Sequence, residues 1–176
     1  MRIGLFIPCY IDQFYPQVGL ATVEILERHG ASVEFPKEQT CCGQPLANAG
    51  LHAEAIPLAE RFLSIFADYD YVVSPSGSCV AMVRQHYDQV LGHSAELDAV
   101  ADKTFELCEF LTDVLKVDRL RGRFPYRVGL HQSCHGLREL RTGLSSELVG
   151  PAFNKPQRLL ASLAQNGSSP ASPSPR

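Results

Sequence analysis

The sequence predicts an α/β protein with a mostly parallel sheet and helices on both faces. Two observations predict it: short apolar, strand-like runs alternate with amphipathic helical stretches, and the first two runs bracket a helix in a β-α-β opening. Arg2 to Pro8 is an apolar run closed by proline, as suits a buried strand. Pro16 fits a first helical turn, Val18, Ala21, Ile25 and Leu26 recur at helical spacing, and Gly30 supplies the stop. Ala31 to Pro36 alternates as a second strand, and residues 39–48 read as a loop. Leu51 to Phe66 forms a helix with Ile56, Ala59, Leu63 and Phe66 on one stripe, and Pro57 predicts a kink or split near its start.

Tyr69 to Ser74 is the third strand, and Pro75-Ser76-Gly77-Ser78-Cys79 is its exit loop, leading to a helix over about Val80–Val90. A further helix is expected over about Lys103–Lys116, then a strand over Tyr126–His131, and a short helix after Pro156. A strand followed by a cysteine occurs at Ile7-Pro8-Cys9 and again at Leu130 to Cys134, so the chain divides into a first unit over 1–125 and the start of an incomplete second over 126–164. Residues 165–176 hold four serines, three prolines and a glycine, which cannot form an apolar face and predict a disordered tail.

The 176 residues amount to about one domain, and 45% apolar with 20% charged side chains excludes disordered, collagen-like and membrane classes. Sixteen basic against 19 acidic side chains give a net charge of −3, which supplies no overall attraction for nucleic acid. No apolar run approaches the roughly 20 residues that span a bilayer. The stretch from Ile3 to Ile11 contains Pro8, ends at Asp12 and lacks a small-residue cleavage site, so it is not a signal sequence and a cytoplasmic protein is expected. In that reducing compartment six cysteines point to metal binding or redox chemistry rather than to a disulfide framework.

Cys9, Cys41, Cys42 and Cys79 each follow a predicted strand, and functional groups gather where loops leave the carboxyl ends of parallel strands. Thirty-one residues separate Cys9 from Cys41 and 36 separate Cys42 from Cys79, while Gly43 lets the backbone turn close to a bulky partner. Four thiolates suffice for a four-iron cluster. Zinc fits less well: structural zinc sites present local C-x₂₋₄-C pairs, which this sequence lacks. Four ordinary buried thiols, or a vicinal disulfide between Cys41 and Cys42, are the alternatives.

Cys9, the Cys41-Cys42-Gly43 triplet and the Pro75–Cys79 loop resemble the first half of the cysteine-rich CCG domain proteins. That group includes the lactate-utilization protein A family, the iron–sulfur subunit of glycolate oxidase and the CCG-containing subunit of heterodisulfide reductase. Phe14-Tyr15-Pro16, Gln44-Pro45 and Cys134-His135-Gly136-Leu137-Arg138 make lactate-utilization protein A the nearest likeness, over roughly residues 1 to 160. The resemblance implies a cytosolic oxidoreductase component that carries electrons through iron–sulfur clusters, with iron–sulfur and flavin-type partner subunits, in the oxidation of L-lactate to pyruvate. It implies Cys9, Cys41, Cys42 and Cys79 as ligands of one cluster, a [4Fe–4S] centre. Met82 stands where the heterodisulfide reductase subunit has a fifth cysteine, a departure from that relative's noncubane cluster. Cys134, with His135, looks like the opening of a second site, which has no second Cys-Cys-Gly triplet here, as expected of a truncated or frameshifted reading frame or a fragment.

Cys108 shares a helical stripe with Leu111 and Leu115 and reads as a core thiol; His131 and His135 read equally as hydrogen-bonded loop residues or as ligands. Arg138 and Arg141 read as surface helix charges. The start of the helix after Gly77 offers backbone N–H groups that would stabilise a thiolate. Neither a dinucleotide nor a nucleoside triphosphate loop is present. The electron carrier competes with two other readings: an iron-free scaffold subunit and a dithiol redox protein using Cys41 and Cys42.

Overall fold

The computed structural model describes residues 1–165, so all of the predicted tail beyond Gln165 lies outside the described residues. Strands β1 (Arg2–Leu5), β2 (Ser32–Glu34), β3 (Tyr71–Ser74) and β4 (Thr104–Glu106) form one parallel sheet in the order β2-β1-β3-β4. The α/β architecture is as predicted. Successive strand residues point to opposite faces. Phe6 and Val72 therefore pack into one core and Ile3, Leu5 and Val73 into the other.

The first core is closed by α4 (His52–Phe66), by α6 (Tyr87–Leu91) and by α7 (Ala95–Asp102). The second is closed by α2 (Pro16–Arg28), by Phe110 and Leu111 after the short α8 (Leu107–Glu109), and by α9 (Lys155–Gln165). Helices thus cover both faces. Gly4 is required in the middle of β1, because a Cβ there would lie 2.8 Å from the Phe66 ring and 2.9 Å from that of Tyr69.

Several elements differ from the sequence expectation. Residues 126–131 form no strand: Tyr126, Val128 and Leu130 are all exposed, and the segment has no ladder partner among the described residues. An alternating pattern makes a strand only where a neighbour supplies the hydrogen bonds. Residues 104–106, expected to begin a helix, form β4 on the sheet edge beside β3. The expected loop over 39–48 ends in a short helix, α3 (Gln44–Asn48). Helix α4 is not split at Pro57.

Helix α2 buries Gly19, Thr22 and Leu26 rather than a face containing Val18 and Ala21. Gly19 faces Ile7, whose Cδ1 would stand 3.4 Å from a Cβ there. The helix expected over 80–90 starts earlier, with α5 (Gly77–Ala81), and reaches α6 through a wide π turn at Met82–His86. In that turn Arg84 Nη1 donates to Glu109 Oε2 at 2.8 Å, pairing a carboxylate that is only 6% exposed.

Candidate thiol site at the switch point of the sheet

The chain leaves β1 to one side for β2 and returns to the other side for β3, so the order reverses between β1 and β3. Open parallel sheets bind ligands outside the carboxyl ends of their strands at such a point. Cys9 lies four residues beyond β1 and begins the short helix α1 (Cys9–Phe14), and Cys79 lies in the first turn of α5, five residues beyond β3. Cys41 and Cys42 follow β2.

Two glutamines sew these loops together. Gln39 Oε1 accepts from the Ile7 N–H at 2.8 Å while its Nε2 donates to the Leu5 carbonyl at 3.0 Å, which fixes the Cys41 loop against the end of β1. Gln44 Nε2 donates to the Ser78 carbonyl at 3.3 Å, which ties the other flank of the triplet to the Cys79 loop. Between them Gly43 adopts φ +81°, a left-handed conformation that lets the chain turn directly into α3. Gln39 was not singled out from the sequence. Its signal was position: the two amides stand two residues before and two residues after the cysteine pair.

Cys9 Sγ and Cys41 Sγ are 3.6 Å apart, and Cys41, Cys42 and Cys79 all pack in or against the first core. Cys9 is exposed, Cys41 and Cys79 are half-buried, and Cys42 is 2% exposed. Hydrogen bonding from the Cys42 thiol draws Cys41 down to about 5, so its sulfur is a thiolate at neutral pH. The same sharing lowers Cys79, helped by the Ser76 and Ser78 hydroxyls. Cys42 is raised far above the ordinary thiol range by the proton it shares with Cys41 and Cys79, and Cys9 is raised chiefly by burial. The site is a thiol–thiolate cluster with one face open to solvent.

Tyr87 supports it from below. The fully buried Tyr87 hydroxyl donates to the Cys42 carbonyl at 3.0 Å, and burial keeps the phenol protonated as a donor. We expect Tyr87→Phe to cost about 1–3 kcal/mol in urea unfolding, since the Cys42 carbonyl would then lose its buried partner.

Cys134 is exposed and takes part in none of these thiol contacts. His135 is held by its neighbours: its Nε2 lies 3.4 Å from Gln44 Nε2 and 3.8 Å from Glu139 Oε1. The segment carrying both residues nonetheless abuts the site, because a Cβ at Gly77 would stand 3.5 Å from Gly136 Cα. Cys108 packs in the second core, where burial raises its thiol, and Arg138 pairs with Glu147 at the surface. Met82, 2% exposed, is a core residue.

Among the described residues no three His, Cys, Asp or Glu side chains are arranged to hold a single metal ion, and no helix is long and apolar enough to cross a membrane. The family described as CCG, cysteine-rich domain, matches residues 3–84. Lactate utilization protein A of Geobacillus kaustophilus is 48% identical over 143 residues, covering 80% of this chain and 60% of the relative. The proteins of the same name from Halalkalibacterium halodurans and an Exiguobacterium species are 45% and 46% identical, each covering 59% of the relative. The chain therefore spans about 60% of the length of the curated relatives it matches. No solved structure matches. With its Cys41-Cys42-Gly43 turn at the centre of the matched region, residues 3–84 match the CCG cysteine-rich domain family, and the chain is similar to proteins named lactate utilization protein A.

Proposed function

We propose that Cys9, Cys41, Cys42 and Cys79 hold an iron–sulfur cluster and that the chain serves as an electron-carrying subunit in the oxidation of L-lactate to pyruvate. The observation that supports the reading is that the four cysteines stand on three loops leaving one edge of the sheet, with the Cys9 and Cys41 sulfurs 3.6 Å apart. The donor set fits the group. Thiolates are the ligands of iron–sulfur clusters, four of them match a [4Fe–4S] centre, and Cys41 is already ionised at neutral pH.

The sequence lacks the local C-x₂₋₄-C pairs of structural zinc sites, whereas four thiolates match a four-iron cluster. When bound, the cluster would supply a one-electron redox centre. This chain's residues would fix its position through Gln39 and Gln44, shield one side through Cys42 and the first core, and leave the Cys9 side open. The name of the relatives supports the lactate system, and flavin-type and further iron–sulfur subunits are the proposed electron donors and acceptors. A cytoplasmic setting follows from the same reading, since the thiols must stay reduced until loaded.

Anaerobic reconstitution with ferrous iron and sulfide tests the proposal. The expected product carries about four irons and four sulfides per chain and shows broad visible absorption bleached by dithionite. A colourless, iron-free protein after reconstitution would overturn it.

A further inference from the structure

We infer that Cys9 and Cys41 form a reversible disulfide in the metal-free protein. Their sulfurs are already in contact at 3.6 Å, and both line an open cleft of about 260 Å³ with Asp12, Lys37 and Gln39. Of the four thiols Cys9 is the exposed one, which opens the pair to an oxidant in solution. It begins α1, which has no fully buried residue and touches the second core through Ile11.

The other pairings are worse. Consecutive residues of a trans peptide hold their Cα atoms 3.80 Å apart, below the range of about 4.4–6.8 Å that disulfides span, which counts against a vicinal Cys41–Cys42 bond. Cys42 is 2% exposed and faces Cys79 beneath the surface, out of reach of a dissolved oxidant.

The oxidant class is a low-molecular-weight disulfide. In the first exchange the sulfur of one member of the pair bonds to one sulfur of the reagent, the reagent's S–S bond breaks, and the released half leaves as a thiol carrying a proton. In the second, the other member's sulfur displaces the remaining half, which leaves as a second thiol with the second proton. Two protein thiols are oxidised by two electrons and one small disulfide is reduced to two thiols. The bond ties up two of the four proposed ligands, so oxidation closes the site to iron until a dithiol reductant reopens it. The bond itself stands on thiol geometry, and its gating of iron rests on the cluster reading above.

The test uses the full metal-free chain, reduced, freed of reductant under argon and then exposed to oxidised glutathione, with peptide mass mapping after alkylation. The expected product is one intramolecular bond between Cys9 and Cys41, reversed by dithiothreitol. Cys41→Ser and Cys9→Ser should each give no intramolecular bond and stop at a glutathione adduct on the remaining member of the pair. A bond between another pair, or a stable Cys9 adduct in the unsubstituted protein, overturns the inference. In parallel, the oxidised protein should lose iron uptake and regain it on reduction. Equal uptake by both forms overturns the gating, whereas failure of the reduced form to take up iron defeats the cluster reading and leaves the mapped bond to decide the inference.

Discussion

Cys42→Ser should reduce the iron bound after anaerobic reconstitution from about four per chain to near zero. The side chain sits in the first core, against which Cys41 and Cys79 also pack, and it is 2% exposed. Its backbone is pinned as well, because Tyr87 holds its carbonyl at 3.0 Å and Gly43 fixes the turn that follows. A serine oxygen in that place is a harder and shorter donor than the soft thiolate that iron–sulfur centres take. Rigid surroundings give a neighbouring group no freedom to substitute. Cys108→Ser is the control: that thiol packs in the other core, and its replacement should leave iron and sulfide content unchanged. Iron and sulfide are counted per chain, with far-ultraviolet circular dichroism confirming the fold of both variants. Undiminished iron in Cys42→Ser would show that the four thiols do not act as one ligand set.

The positions of those thiols could be read from the sequence because each lies just downstream of a strand, and parallel strands deliver their exit loops to one edge. What could not be read is how the loops are held. Gln39 reaches back 32 residues to the Ile7 N–H, Tyr87 reaches Cys42 across 45, and Arg84 meets Glu109 across 25. Such contacts depend on the closed fold and leave no local pattern. The same limit explains the strands. β1 and β3 carry apolar runs that are buried in the finished sheet, but β4 is three residues long on an edge, too short for its alternation to compete with the helical pattern that follows. Tyr126, Val128 and Leu130 alternate more convincingly than Thr104 to Glu106 do, yet only the latter find a ladder partner. Pairing is a property of neighbours. In α2 the face that turns inward carries Gly19, Thr22 and Leu26, and not the apolar residues Val18 and Leu20.

Phe66→Ala should lower the stability of the domain by about 3–5 kcal/mol, a large part of the roughly 5–15 kcal/mol typical of a whole domain. Phe66 is fully buried at the end of α4, with its ring 4.5 Å from Phe62, 5.9 Å from Phe6 and 5.9 Å from Tyr69, centroid to centroid. The cost of a core truncation rises with the volume that stays empty, so what matters is whether the surroundings can close in. Here they cannot readily do so. Gly4 lies directly against the ring and has no side chain to advance, and β1 is held by ladders on both sides. Phe62 is fixed in turn by Phe6 at 4.9 Å and Tyr87 at 5.8 Å. The effect should therefore fall in the upper part of the range. Phe66→Leu, which keeps most of the volume, should cost about 1.5 kcal/mol or less, and urea midpoints with unchanged slopes would establish both values. Because Phe6 and Tyr87 connect this aromatic cluster to the end of β1 and to the Cys42 carbonyl, the cavity should also loosen the thiol site. Phe66→Ala is then expected to bind iron less tightly than Phe66→Leu at a temperature where both are folded. Equal iron affinity in the two variants would mean that the site is held by its loops alone and takes no rigidity from the core beneath it.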